Sequence, residues 1–220
     1  MLCLTSCEKD SKPEPPQPEE IIKWEIYPGH MMQVTPSGKL TCYDKKGSGN
    51  AVVGIIINDA IMLMLDTKRN IQYGGWPVSS AEELWQDINT INQTRNGLEL
   101  QDAIYKDLKS KGVTDLPLLE WAIGYAPSAL PSLKGKCWIP TILEWQAIQP
   151  VVFPTSNSSI TVNGAALLQT QVYWALNIYE SSSWLWVCTS PGGRLFFGRD
   201  GVANAALVAK IPDKESKTKH

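Results

Sequence analysis

Few side chains in this sequence have the types and spacing that reaction chemistry needs. Histidine occurs only as His30 and His220, which leaves no set for acid–base catalysis or a multi-histidine metal centre. The five cysteines are Cys3, Cys7, Cys42, Cys137 and Cys188. No histidine lies near Cys188, and a lone thiol in a strand reads as a small buried hydrophobe rather than a nucleophile. If the chain is exported, any single disulfide among Cys42, Cys137 and Cys188 leaves one odd thiol, and the sequence does not choose the pair. The sequence therefore predicts no catalysis, no cofactor and no metal.

Recognition chemistry is better represented, between residues 175 and 205. Asn177, Tyr179, Ser181, Ser182 and Ser183 read as a polar loop, with Trp184 at its end. Arg194, Phe196, Phe197, Arg199 and Asp200 follow the Gly192-Gly193 turn. Phe196-Phe197 holds two of the three phenylalanines. Neighbouring strand residues point to opposite faces, so at least one of the pair faces solvent or lies under a loop. A rigid aromatic flanked by Arg, Ser and Asn has the makeup of an adaptable binding surface. The plainer alternative is that these residues simply close a sheet.

The elements that must hold this surface follow from periodicity. Trp24–Tyr27 reads as a strand, and Ala51–Ile57 and Ile61–Leu65 as a buried hairpin turning at Asn58-Asp59. Ser79 or Ser80 caps a helix with Leu84, Ile88 and Ile91 on one face. A second helix over 99–111 aligns Leu100, Ile104 and Leu108 and ends at Gly112. A third begins near Asp115, turns Leu116, Leu119 and Ile123 inward, and stops before Pro127. In Trp138–Ile148, Thr141 and Glu144 have capping-box spacing, and Pro140 occupies the first turn, where it costs no hydrogen bond. Short strands return at 160–162, 172–174, 184–188, 194–197 and 207–211. Strands at both ends with helices between them make an α+β fold.

Composition sets further limits. With 20 basic and 22 acidic residues the formal net charge is −2, and the basic residues are scattered, which argues against a nucleic-acid partner. At this length folding buries roughly 70% of the chain's surface, and one domain is the default. Nine tryptophans supply large rigid faces for core or binding.

Residues 1–20 differ from the rest. Leu4-Thr5-Ser6-Cys7 resembles a bacterial lipobox, which implies lipidation of Cys7, and Glu8-Lys9-Asp10 is similar to a lipoprotein surface-sorting signal. Prolines 13, 15, 16 and 18 alternate with acids, as in a stiff, extended spacer of ~3 Å per residue. No apolar run reaches the ~18 residues of a membrane span, so membrane contact is expected only through the lipid. The tether holds five acids against two lysines over residues 8–20, a net of −3 against −2 for the whole chain, so the net negative charge belongs to it. A single folded domain is expected over 21–212, with a frayed polar tail at 213–220.

Two segments carry a family resemblance. Trp138-Ile139-Pro140-Thr141-Ile142-Leu143-Glu144-Trp145 is similar to the "LPTxxEW" segment of the formylglycine-generating-enzyme-like branch of the C-type lectin fold. Tyr173-Trp174 opens a stretch, through Trp184-Leu185-Trp186-Val187 to Gly192-Gly193, that resembles the C-terminal end of the same group. The closing strand departs from the family's Arg-containing pattern and reads Leu207-Val208-Ala209-Lys210-Ile211. The resemblance implies a single C-type-lectin-like domain in which the octapeptide is scaffold, with Trp145 packed beneath the sheet. It implies Trp186 and Cys188 inward and Val187 and Thr189 outward, which adds Val187 to the candidate ligand-binding residues.

The oxygenase members need a pair of late cysteines, and this chain has only Cys188 there. Similar domains serve as variable proteins of diversity-generating retroelements and as pilus-tip adhesins. The expectation is therefore a non-enzymatic, lipid-anchored surface protein of a bacterial outer membrane, binding a protein or glycan ligand as an adhesin or receptor. The rivals are a structural or tip subunit of a pilus or surface assembly, and a degenerate enzyme of the formylglycine-generating type.

Overall fold

A computed structural model describes residues 28–38, 40–43, 51–74, 97–154, 159–162, 165–169, 171–178, 184–189, 193–198 and 201–211, with the backbone course alone for 159–169, 178 and 184–198. In chain order the first strands are β1 (Met31–Val34), β2 (Leu40–Cys42), β3 (Ala51–Ile56), β4 (Ile61–Met64) and β5 (Lys68–Gln72). Helices α1 (Gly97–Ser110) and α2 (Pro117–Gly124), a 3-10 turn (Pro131–Leu133), the two-residue strand β6 (Cys137–Trp138) and helix α3 (Ile142–Val152) follow. The chain then forms β7 (Ser159–Val162), β8 (Ala165–Gln169), β9 (Val172–Ile178), β10 (Trp184–Thr189), β11 (Gly193–Gly198), β12 (Val202–Ala205) and β13 (Val208–Lys210). The class is mixed α and β, with three helices among the described residues and two main sheets.

The expected apolar hairpin is present, and its turn has a local cause. Asn58 Oδ1 accepts from the amides of Ala60 and Ile61 at 2.9 and 3.0 Å, an Asx turn that reverses the chain. β3 and β4 pair antiparallel, Ile55 opposite Leu63. β13 then adds to the other edge of β4, Val208 opposite Leu63. The larger sheet has the order β2-β1-β3-β4-β13-β6, and the second β11-β10-β9-β12-β5, with β7-β8 a separate hairpin. Every pairing is antiparallel except β12 with β9.

Strand β4 is buried on both faces, which is why it reads as an unbroken apolar run. Met62 and Met64 face the cluster built by α1 and α2, whereas Ile61 and Leu63 face the cluster built by α3. Strand β9 divides likewise: Trp174 and Leu176 join the first cluster, Tyr173 and Ala175 the second. The sheets thus lie between α1 and α2 on one side and α3 on the other.

Leu100, Ile104 and Leu108 of α1 are buried as their spacing requires. Helix α2 begins at Pro117 rather than Asp115, with Leu116 before it and no side-chain cap. The fixed φ of proline is what starts this helix. Leu116 and Leu119 are buried as expected, the helix also buries Leu118 and Ala122, and Ile123 is only half-buried. The strands expected at 24–27 and the helix carrying Leu84, Ile88 and Ile91 lie outside the described residues.

Candidate functional site

The segment Trp138–Trp145 forms a hydrogen-bonded junction at the start of α3. Thr141 is the cap: its Oγ1 accepts from the Glu144 amide at 3.2 Å, and Glu144 Oε2 accepts from the Thr141 amide at 2.8 Å. Pro140 therefore precedes the cap instead of occupying the first turn, and its carbonyl accepts from the Leu176 amide at 2.9 Å. The Glu144 carboxylate also accepts from the indole Nε1 of Trp138, at 2.9 Å to Oε1 and 3.1 Å to Oε2. Burial raises the Glu144 carboxyl above its ordinary value, against the lowering effect of these donors. Gly97 at the start of α1 sits directly over this pair. A β-carbon there would lie 2.2 Å from Trp138 Nε1, so only glycine allows α1 to approach.

The same segment is fastened to β9. Trp145 Nε1 donates to the Trp174 carbonyl at 3.1 Å, and the Trp145 and Tyr173 rings lie 5.3 Å apart. The Phe153 and Tyr173 rings lie 6.0 Å apart. On the opposite face of β9, Trp174 Nε1 donates to the Ile71 carbonyl at 2.6 Å and Tyr73 Oη to the Leu176 carbonyl at 2.8 Å. Burial holds the Tyr73 phenol well above its usual range, so it remains a donor. Trp145 thus packs beneath the sheet as expected, and Trp138, Trp145 and Trp174 are all core.

One expected ligand-binding residue, Asn177, makes a structural bond. Asn177 does not sit on a loop, because β9 continues to Ile178. Its Oδ1 accepts from the Ile142 amide at 2.7 Å, satisfying a donor that the first turn of a helix leaves free. Asn177 is therefore the second cap of α3. Asn177→Ala is expected to cost about 1 kcal/mol of stability, the usual value of a lost cap, and to leave ligand affinity unchanged once the protein is folded. Urea unfolding beside a binding titration checks both.

The other candidates are partly placed by backbone course. Trp184 and Val187 lie in β10, and Arg194, Phe196 and Phe197 in β11. The register sets Val187 opposite Trp174 on one side and Leu195 on the other, and Phe196 opposite Trp186. Strand β11 forms one edge of its sheet. Tyr179, Ser181, Ser182, Ser183, Arg199, Asp200 and Cys7 lie outside the described residues.

The two cysteines described with their side chains stand apart from each other. Cys42 and Cys137 are free thiols at opposite edges of the larger sheet, with four strands between them, so they do not pair with each other. Burial pushes the Cys137 thiol up to about 12 and raises that of Cys42. Among the described residues no group of three or more His, Cys, Asp or Glu side chains could hold a metal ion, and no helix is long and apolar enough to cross a membrane.

Sequence reasoning missed Gln101. It lies within the buried stripe of α1, donates from Nε2 to the Cys137 carbonyl at 3.2 Å and accepts on Oε1 from the Ile139 amide at 2.9 Å. The signal was a polar residue spaced three and seven positions before Ile104 and Leu108. Compared with family profiles, curated proteins and solved structures, the chain gives no match.

Proposed function

We propose that this chain is a non-enzymatic ligand-binding protein with a C-type-lectin-like domain, anchored through lipid at Cys7 to a bacterial outer membrane. On this reading residues 1–20 are anchor and tether, 21–212 the domain and 213–220 a tail. The supporting observation is the union of the two segments that carry the resemblance. The Trp138–Trp145 segment and Tyr173-Trp174 lie far apart in sequence, yet they are joined by the Trp145–Trp174 hydrogen bond, the Trp145–Tyr173 ring contact and the Asn177 cap. This junction fixes β9, next to which β10 and β11 carry Trp184, Val187, Arg194, Phe196 and Phe197. With Tyr179, Ser181–Ser183, Arg199 and Asp200 these make up the ligand-binding segment, for a protein or glycan. Diversification by a retroelement would act on this segment.

The face is tested on glycan and protein arrays with Phe196→Ala and Arg199→Ala. Each is expected to weaken binding by about 1–3 kcal/mol, the range for an aromatic or arginine anchor. Unchanged binding by both variants overturns the site.

A pilus or surface-assembly subunit is the second reading. The observation that favours it is edge strand β11, which pairs on one side only among the described residues and offers its other side to an added strand. Polymer ladders on a denaturing gel would decide for it.

A further inference from the structure

Helix α2 carries a partly exposed aromatic cluster outside the C-terminal face. Trp121 and Tyr125, one turn apart and both partly exposed, have ring centroids 6.1 Å apart and planes at 61°. Both pack from one side against the core beneath α1 and α2, which holds the rings in place. Tyr125 Oη donates to Asp66 Oδ2 at 2.7 Å. Burial, and then the bond to Asp66, raise the phenol far above its ordinary value, so it stays a donor and keeps the carboxylate aimed. The ion pairs among the described residues are Lys109–Glu120 and Lys111–Asp107, so no cation there neutralises Asp66. The turn holding Asp66 leads into β5, against which α2 packs.

We propose that Trp121, Tyr125 and Asp66 form a binding site for a neutral sugar ring, separate from the C-terminal face. A pyranose has an apolar C–H face and an equatorial rim of hydroxyls. The fixed aromatic faces take the first, and the oriented carboxylate accepts short, charge-assisted hydrogen bonds from the second. The cluster spans one helical turn and one strand-to-strand turn. That is too small for a stable protein interface, which buries about 800 Å² on each partner.

The test is calorimetric titration of the full chain with cellohexaose, maltohexaose, xylohexaose and mannohexaose. At least one is expected to bind, with affinity falling about tenfold in Trp121→Ala and about threefold or more in Asp66→Asn. The Asp66 carboxylate is exposed, so the second variant remains informative if loss of the indole impairs folding. Absence of binding to all four by the wild-type protein overturns the proposal, as does binding undiminished in Asp66→Asn. Loss of sugar binding in Phe196→Ala but not in Trp121→Ala or Asp66→Asn overturns it too, by moving the sugar to the C-terminal face.

Discussion

Glu144→Ala is expected to lower the stability of this protein by roughly 2–4 kcal/mol, from a lost capping box and an orphaned indole donor. The two terms have separate origins. Without the carboxylate the Thr141 amide loses its acceptor, and so does Trp138 Nε1, on a side chain that is 2% exposed. For a chain of this size the loss corresponds to a fall of roughly 5–15 °C in melting temperature. A calorimetric scan showing less than ~2 °C would mean that water replaces both bonds. Glu144→Gln separates hydrogen bonding from charge. Burial raises the Glu144 carboxyl above its ordinary value of 4.5, so its contribution is complete below that pH and is lost as pH rises through the raised value. The glutamine has no such term. Its stability relative to wild type should therefore improve steadily from acid towards neutral pH, and a flat or reversed difference would contradict the assigned direction.

Gln101→Leu should be about as damaging, at roughly 2–4 kcal/mol, although it keeps volume and adds apolar surface. Strand β6 is the outermost strand of the larger sheet, bonded to β13 on its inner side. On its outer side the Gln101 amide takes the place of a peptide group, giving a donor to the Cys137 carbonyl and an acceptor to the Ile139 amide. Leucine leaves both backbone groups buried and unpaired, a cost of about 1–3 kcal/mol each, partly relieved by relaxation. Gln101→Glu should not rescue it, because the carboxylate has no donor for Cys137 and would be ionised in a buried stripe. Urea denaturation of both variants checks the argument. A leucine variant as stable as wild type would show that the edge finds other partners.

These two residues show how far the sequence could be read. The Thr141–Glu144 box and the Leu100–Ile104–Leu108 stripe are local patterns, so they were legible and the structure has them. The hairpin at Asn58 was legible for the same reason. Strands β5 and β12, Lys-Arg-Asn-Ile-Gln and Val-Ala-Asn-Ala, were not, because neither alternates clearly or favours β structure. They are strands because each supplies the other's hydrogen bonds. Strand β6 is two residues long and exists only beside β13. Asn177 reads as a loop residue because Asn is a common loop side chain. Its role depends on an amide 35 residues earlier, which no local pattern encodes. Of the expected face, the sequence located the strands that bear it, and the register now fixes which residues stand opposite one another.

The pairing of β4 with β13 also governs when the fold can form. Val208 is made 145 residues after Leu63 (208 − 63), and β5 likewise waits for β12. Closing such distant pairs costs chain entropy before any contact repays it, which slows folding towards milliseconds or longer. The larger sheet stays incomplete until Val208–Lys210 has left the ribosome.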